Sequence, residues 1–187
     1  MPPRDRPLVP PQLSPRQRDL YDRLAHGARA TGSRPAPLVG PDGRLSGPFN
    51  TLLLQPELGN ALQELGAVVR YRTSLPERAR EIAILVVAAD ERSAYEQRVH
   101  EHVARTLGLQ TEHIEALRSK GFPKLDEPYD GAVWRVVSAL VRTGDLDDEA
   151  WADGEKILGQ ACLFELVALV GYYRLLAQIM RVFRVDE

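Results

Sequence analysis

Four residues in the middle of the sequence have types and spacings suited to moving a proton: Glu81, Ser93, Glu96 and His100. Ser93, Glu96 and His100 stand at i, i+3 and i+7, so a helix starting at Ser93 places them on one face. Glu96 and His100 alone form an i, i+4 pair, close enough to share a proton. Glu81 lies twelve residues before Ser93, in a segment made apolar nearly all round by Ile82, Ile84, Leu85, Val86 and Val87. A carboxylate there either turns outward or sits at the edge of a pocket. In the pocket, desolvation raises its pKa, which suits acid/base work.

Each of these residues also has a purely structural reading. Ser93-Ala94-Tyr95-Glu96 is a capping-box sequence, in which both polar side chains satisfy amides at a helix start. His100 fits a satisfied core or interface histidine, and Glu81 an ion-pair partner of Arg78 or Arg80. His100 and His102 invite a metal, but i, i+2 positions point to different sides of a helix, and no further ligand follows at helical spacing. No metal site is expected. The single cysteine, Cys162, excludes an intrachain disulfide and a cysteine-rich zinc site. Among Ala161, Leu163 and Phe164 it reads as an inert apolar group.

Helices must position this set. The 187 residues are enough for one core, and 44% apolar with 27% charged residues is ordinary for a soluble globular protein. A net charge of −2, with acids interleaved among the many arginines, argues against nucleic-acid binding. Residues 1–13 read as a flexible tail because of Pro2, Pro3, Pro7, Pro10 and Pro11. Residues 14–187 read as one domain. Its first helix starts at Ser14, with Pro15 at the first position and Gln17 completing a capping box, and runs to about Ala30. A connection from Thr31 to Pro48 with four Gly and four Pro follows.

Pro56 opens a helix with Leu58, Leu62, Leu65 and Val69 at three- and four-residue spacing. Ser74-Leu75-Pro76-Glu77 and Ser93 to Glu96 are further start signals, and Thr111 and Asp147 are expected caps. Other helices cover about Tyr129–Arg142 and Ala161–Phe183. The apolar stretch Leu163–Met180 carries Glu165, Arg174 and Gln178, so a core or subunit-facing helix is expected rather than a membrane span. No βαβ alternation or glycine-rich phosphate loop occurs. The fold class is all-α.

The spacing of Glu81, the Ser93-Ala94-Tyr95-Glu96 tetrapeptide and His100 resembles the carboxymuconolactone decarboxylase and alkylhydroperoxidase D-like family, whose pattern is Glu, twelve residues to Cys-x-x-Cys, then four to His. Further segments resemble its decarboxylase branch: Gly47-Pro48-Phe49-Asn50, Leu75 to Glu81, Ala104 to Leu109, and Glu165 to Tyr173. The resemblance spans 47–187 and implies an AhpD-like helical bundle that associates as a homo-oligomer (dimer, trimer or hexamer).

Ser93 and Glu96 replace the family's cysteines, and thiol peroxidase chemistry needs both sulfurs. The resemblance therefore implies cofactor-free proton transfer on a small lactone or carboxylic acid by a lyase or isomerase. In it His100 donates or accepts the proton, Glu96 tunes His100, and Glu81 holds its orientation. Ser93, Tyr95, Phe49 and Tyr172 are the candidate substrate contacts, and Glu165 is a weaker pocket candidate. The other class of reading is a non-catalytic helical binding or assembly protein that lost the redox motif. A small-molecule substrate, no nucleic acid, no membrane and a cytoplasmic location complete the expectations.

Overall fold

The computed structural model describes Arg4, residues 8–32 and residues 35–185, with the backbone alone at Ala28 and Arg29. Its helices are α1 (Pro15–His26), α2 (Ala28–Thr31), α3 (Phe49–Leu52), α4 (Pro56–Tyr71), α5 (Glu77–Glu91), α6 (Ala94–Thr106), α7 (Thr111–Arg118), α8 (Pro128–Thr143) and α9 (Asp148–Phe183). No strand occurs among the described residues, only an isolated antiparallel bridge between Val39 and Leu45.

The centre is α5, buried continuously from Ala79 to Ala89 and packed by α6, α7, α8 and α9. A helix this apolar has no solvent face, so its β-branched Ile and Val residues are tolerated because packing outweighs their weaker propensity. It ends at Arg92, whose left-handed backbone (φ 55°) turns the chain, and Ser93 caps α6 at once. The tight connection lays α6 back along α5. Asp147 caps α9 through Ala150 N–H, and Gly159 (φ 78°, ψ 159°) breaks the run into two helical arms. A side chain is strained in that conformation, and glycine is not. The two separate helices read from the sequence meet at this kink.

A second layer covers one side of the bundle. Leu20, Tyr21, Leu24, Leu38, Leu45, Phe49, Leu52 and Leu53 form their own core there. The Gly- and Pro-rich connection belongs to it: Gly40 N–H donates to Arg44 O and Ser46 N–H to Leu38 O, which drives Leu38 and Leu45 inward. Of the tail expected over 1–13, Pro2, Pro3 and Pro7 lie outside the described residues. Its later part is held rather than free: Leu8 exchanges two hydrogen bonds with the buried Asn50 amide, and Pro10–Gln12 form a 3-10 turn.

Several local expectations need correction. The Ser74–Glu77 capping box does not form. Pro76 occupies the cap, and Ser74 instead donates its N–H and hydroxyl to the Glu165 carboxylate at 2.9 Å each. This contact also takes Glu165 out of the candidate pocket. Gln110, not Thr111, precedes α7 as its cap. In α4, Val69 is buried while Leu58 and Leu65 are exposed. Helix α9 is long and apolar enough to cross a membrane by length and composition, with half of its most apolar window buried in the fold.

Candidate active site

Helix α5 supplies Glu81, α6 supplies Glu96 and His100, α4 supplies Arg70 and α9 supplies Tyr173. The two imidazole nitrogens of His100 face carboxylates on opposite sides. Nδ1 lies 2.6 Å from Glu81 Oε2, and Nε2 lies 3.3 Å from Glu96 Oε2. All three side chains are buried. Arg70 closes the group from α4: its Nη2 is 3.6 Å from Glu81 Oε1, and its Nη1 donates to Tyr173 Oη at 3.3 Å. Nη1 is also nearly equidistant from both ring nitrogens of His100, at 3.3 and 3.4 Å. The Tyr173 ring meets the imidazole edge-on, with 5.3 Å between centroids.

Electrostatics follow from this alternation of charge. Burial alone disfavours the Glu81 carboxylate, but His100 and Arg70 outweigh it and hold its pKa below the usual value. Burial likewise works against a charged His100. The Glu81 charge and the hydrogen bonds that Glu81 and Glu96 accept overcome that, and also the repulsion from Arg70, and raise its pKa. The two carboxylates on either side of the ring thus favour the protonated form of His100 more than water does. Burial pushes the Tyr173 phenol upward, so it stays protonated. The expectation that burial would raise Glu81 thus fails, because its partners decide the sign.

These groups form the polar end of a pocket of about 220 Å³. Its apolar walls include Phe49, Tyr71, Val99, Val103 and Leu176. Phe49 belongs to the core of the covering layer, so that layer completes a cavity whose chemistry lies in the bundle. Tyr95 is another wall. Gly47 fits against it with φ 60°, where a Cβ would collide with the Tyr95 ring.

Of the residues expected from the sequence, Glu81, Glu96, His100, Tyr95 and Phe49 converge on this pocket. Two do not. Ser93 Oγ accepts from Glu96 N–H as a helix cap and borders a neighbouring groove. Tyr172 is buried behind Tyr173, ring against ring at 5.4 Å, and one residue of helical register gives the pocket position to Tyr173. The two readings of Ser93 to Glu96 divide between the residues: Ser93 caps, while the Glu96 carboxylate turns to His100. Glu81 pairs with Arg70 rather than with Arg78 or Arg80: Arg78 binds Asp130 at 2.8 Å, and Arg80 acts on Glu81 only through its nearby charge. Arg70 was not foreseen. It has no acid three or four residues away on its helix (Gly66, Ala67, Thr73 and Ser74 stand there), and a cation so placed needs a tertiary partner. Among the described residues no cluster of His, Cys, Asp and Glu is arranged to hold a metal ion.

Residues 56–124 match the model of the carboxymuconolactone decarboxylase family. No curated protein matches the chain by sequence. Among solved structures, the chain is similar to an alkylhydroperoxidase AhpD core protein, an uncharacterized peroxidase-related protein from Ralstonia eutropha JMP134. That similarity has a TM-score of 0.75 and 13% identity, and it covers 98% of this chain and 91% of the other. A second similar structure is the debrominase Bmp8 with a cysteine replaced by alanine, in complex with 2,3,4-tribromopyrrole. Here the TM-score is 0.71 at 13% identity, covering 96% and 89% of the two chains. Residues 56–124 are thus similar in sequence to the carboxymuconolactone decarboxylase family, and the fold over nearly the whole chain is that of an AhpD core.

Proposed function

We propose that the chain is an enzyme acting on a small molecule by proton transfer at carbon, a decarboxylase-like lyase or isomerase for a small lactone or carboxylic acid. The observation that carries this reading is the His100 imidazole, enclosed at the polar end of a pocket with a carboxyl group at each nitrogen. Glu81 makes the short contact and fixes the ring, as the carboxylate partner of a catalytic histidine does. Nε2 then presents its proton on the side of Glu96.

In decarboxylation, the bond from the α-carbon to the carboxylate breaks, carbon dioxide leaves, and the electron pair remains as an enolate. His100 delivers its proton to that carbon and is reprotonated from solvent. In isomerisation His100 in its neutral form removes a proton from one carbon and returns it to another, the electron pair resting in an enolate between the two steps. Arg70 and the Tyr173 hydroxyl lie where they can stabilise developing enolate charge. The absence of a cysteine pair in the sequence supports proton chemistry over thiol chemistry, and the tribromopyrrole bound by the debrominase supports a small ring as ligand.

The test is a turnover screen of lactone acids and β-keto acids with wild-type protein and His100→Ala. Loss of a positioned acid/base group should lower the rate of an active substrate by about 10²–10⁴-fold. Turnover undiminished in His100→Ala defeats the mechanism, and an inactive panel favours the binding-protein reading.

A further inference from the structure

The polar end of the pocket holds a second buried cation besides Arg70. Glu81 is matched by Arg70 and His100, and Glu96 by His100. Arg80, the neighbour of Glu81 on α5, borders the same pocket and is only 7% exposed. Its contacts are poor. Nη1 donates to Leu75 O at a long 3.4 Å, and Nη2 is 3.8 Å from Glu77, whose side chain is 73% exposed. Nε is buried with no hydrogen-bond partner among the described residues. A guanidinium carries five N–H donors in a planar fork, and burying it so incompletely matched is unfavourable unless something else supplies the acceptors.

We propose that Arg80 is the anchor for an anionic group of the substrate, a carboxylate that the reaction does not consume. The inference rests on the proton-transfer reading and adds to it a residue and a substrate feature. A planar carboxylate can take two parallel N–H bonds from the fork, and it supplies the acceptors that the buried guanidinium lacks. The retained group is the one that fits. A carboxylate about to leave as carbon dioxide loses its charge in the transition state, so a cation holding it would stabilise the ground state more and slow the step. A spectator carboxylate keeps its charge throughout. For a lyase the substrate is then at least a diacid, and for an isomerase a monoacid suffices.

Binding without turnover tests this. The probes are 2-furoate and its neutral isostere 2-furamide, titrated by calorimetry into wild type, Arg80→Gln and Arg80→Lys, with thermal melts of each. Wild type should bind the carboxylate at least about ten-fold more tightly than the amide, and Arg80→Gln should shrink that preference to within about two-fold. Arg80→Lys, which keeps the charge but loses the fork, should fall between them. Ligand-free Arg80→Gln should melt no lower than wild type, because it sheds an incompletely paired buried charge.

Equal affinity for the two probes, no binding of either to wild type, or a preference surviving in Arg80→Gln each overturns the proposal. Should Arg80→Gln not fold, Arg80 is structural and the proposal fails, unless wild type prefers the carboxylate and folded Arg80→Lys weakens that preference. The screen above separates the two claims. Turnover without a carboxylate preference removes the anchor alone, whereas a preference without turnover keeps the anchor and removes the chemistry.

Discussion

Helix α5 carries an ion-pair cluster at each end, and the two differ in kind. Near its start, Glu81 meets Arg70 and His100 under nearly complete burial. At its end, Asp90 and Glu91 reach Lys120, Arg174 and Arg181: Asp90 bonds Lys120 at 2.9 Å, and Glu91 takes both Arg181 Nη atoms at 3.1 Å. The outer acids are 17–28% exposed and their cationic partners 34–54%. Contact distances are similar in the two clusters. Solvent is the difference. The outer group is a clasp between α5, the chain after α7, and α9, built from side chains that water can replace. The inner group raises the proton affinity of a histidine that burial alone would lower. A similar inventory of charges serves attachment in one place and poises a proton in the other.

The contrast is most severely tested by removing one acid from the inner set. Glu81→Ala leaves the buried Arg70 without its carboxylate and takes from His100 the partner of Nδ1, and urea unfolding should show a loss of about 3–5 kcal/mol. A loss below 1 kcal/mol would mean the inner cluster is as wet as the outer.

The pH dependence of stability sharpens the same point. The depressed Glu81 pKa contributes fully above the usual carboxyl value of 4.5 and is lost as pH falls through the depressed value. The raised His100 pKa contributes fully below the usual 6.5 and is lost as pH rises through the raised value. The pair's joint contribution is therefore complete between those two values and declines on the alkaline side. In His100→Gln the alkaline decline attributable to this pair should disappear from urea midpoints measured across that range.

The outer cluster should respond least. Asp90→Asn should cost only about 0–1 kcal/mol, since the pairs it breaks are partly solvated. One molar salt, with a Debye length of about 3 Å, should remove much of even that difference while leaving the effect of Glu81→Ala in place. A large cost for Asp90→Asn in high salt would erase the distinction between the two ends of α5.

The sequence made the all-α class legible because caps and apolar periodicities agree along most of the chain, as at Ser14 to Gln17 and at Asp147. Glu81, Glu96 and His100 were legible because two of them share one helix and the third lies on the helix joined to it by a tight turn. Local spacing nearly fixes such a set. Arg70 and Arg80 were harder to read, because what matters about them is a missing partner or a distant one. Tyr173 was missed in favour of Tyr172 for a different reason. Adjacent aromatic residues on a helix differ by about 100° in direction, and only packing against α6 decides which enters the cavity. The Ser74–Glu77 signal misled because Glu165, ninety-one residues away, competes successfully for the Ser74 donors. Local capping motifs cannot anticipate a tertiary acceptor.

The tight turn at Arg92–Ser93 also bears on the order in which the molecule can assemble. Glu81 and His100 are only 19 residues apart along the chain, whereas Arg70 and Tyr173 are separated by 103. Closing the short loop loses little chain entropy, so the hairpin of α5 and α6 can bring the acid and the imidazole together early. The wall that dries them waits for α9, which brings Tyr173 from far along the chain. Until that helix docks, the pair is an ordinary solvated contact. The shifted proton affinity of His100 is thus a property the fold acquires only when α9 docks.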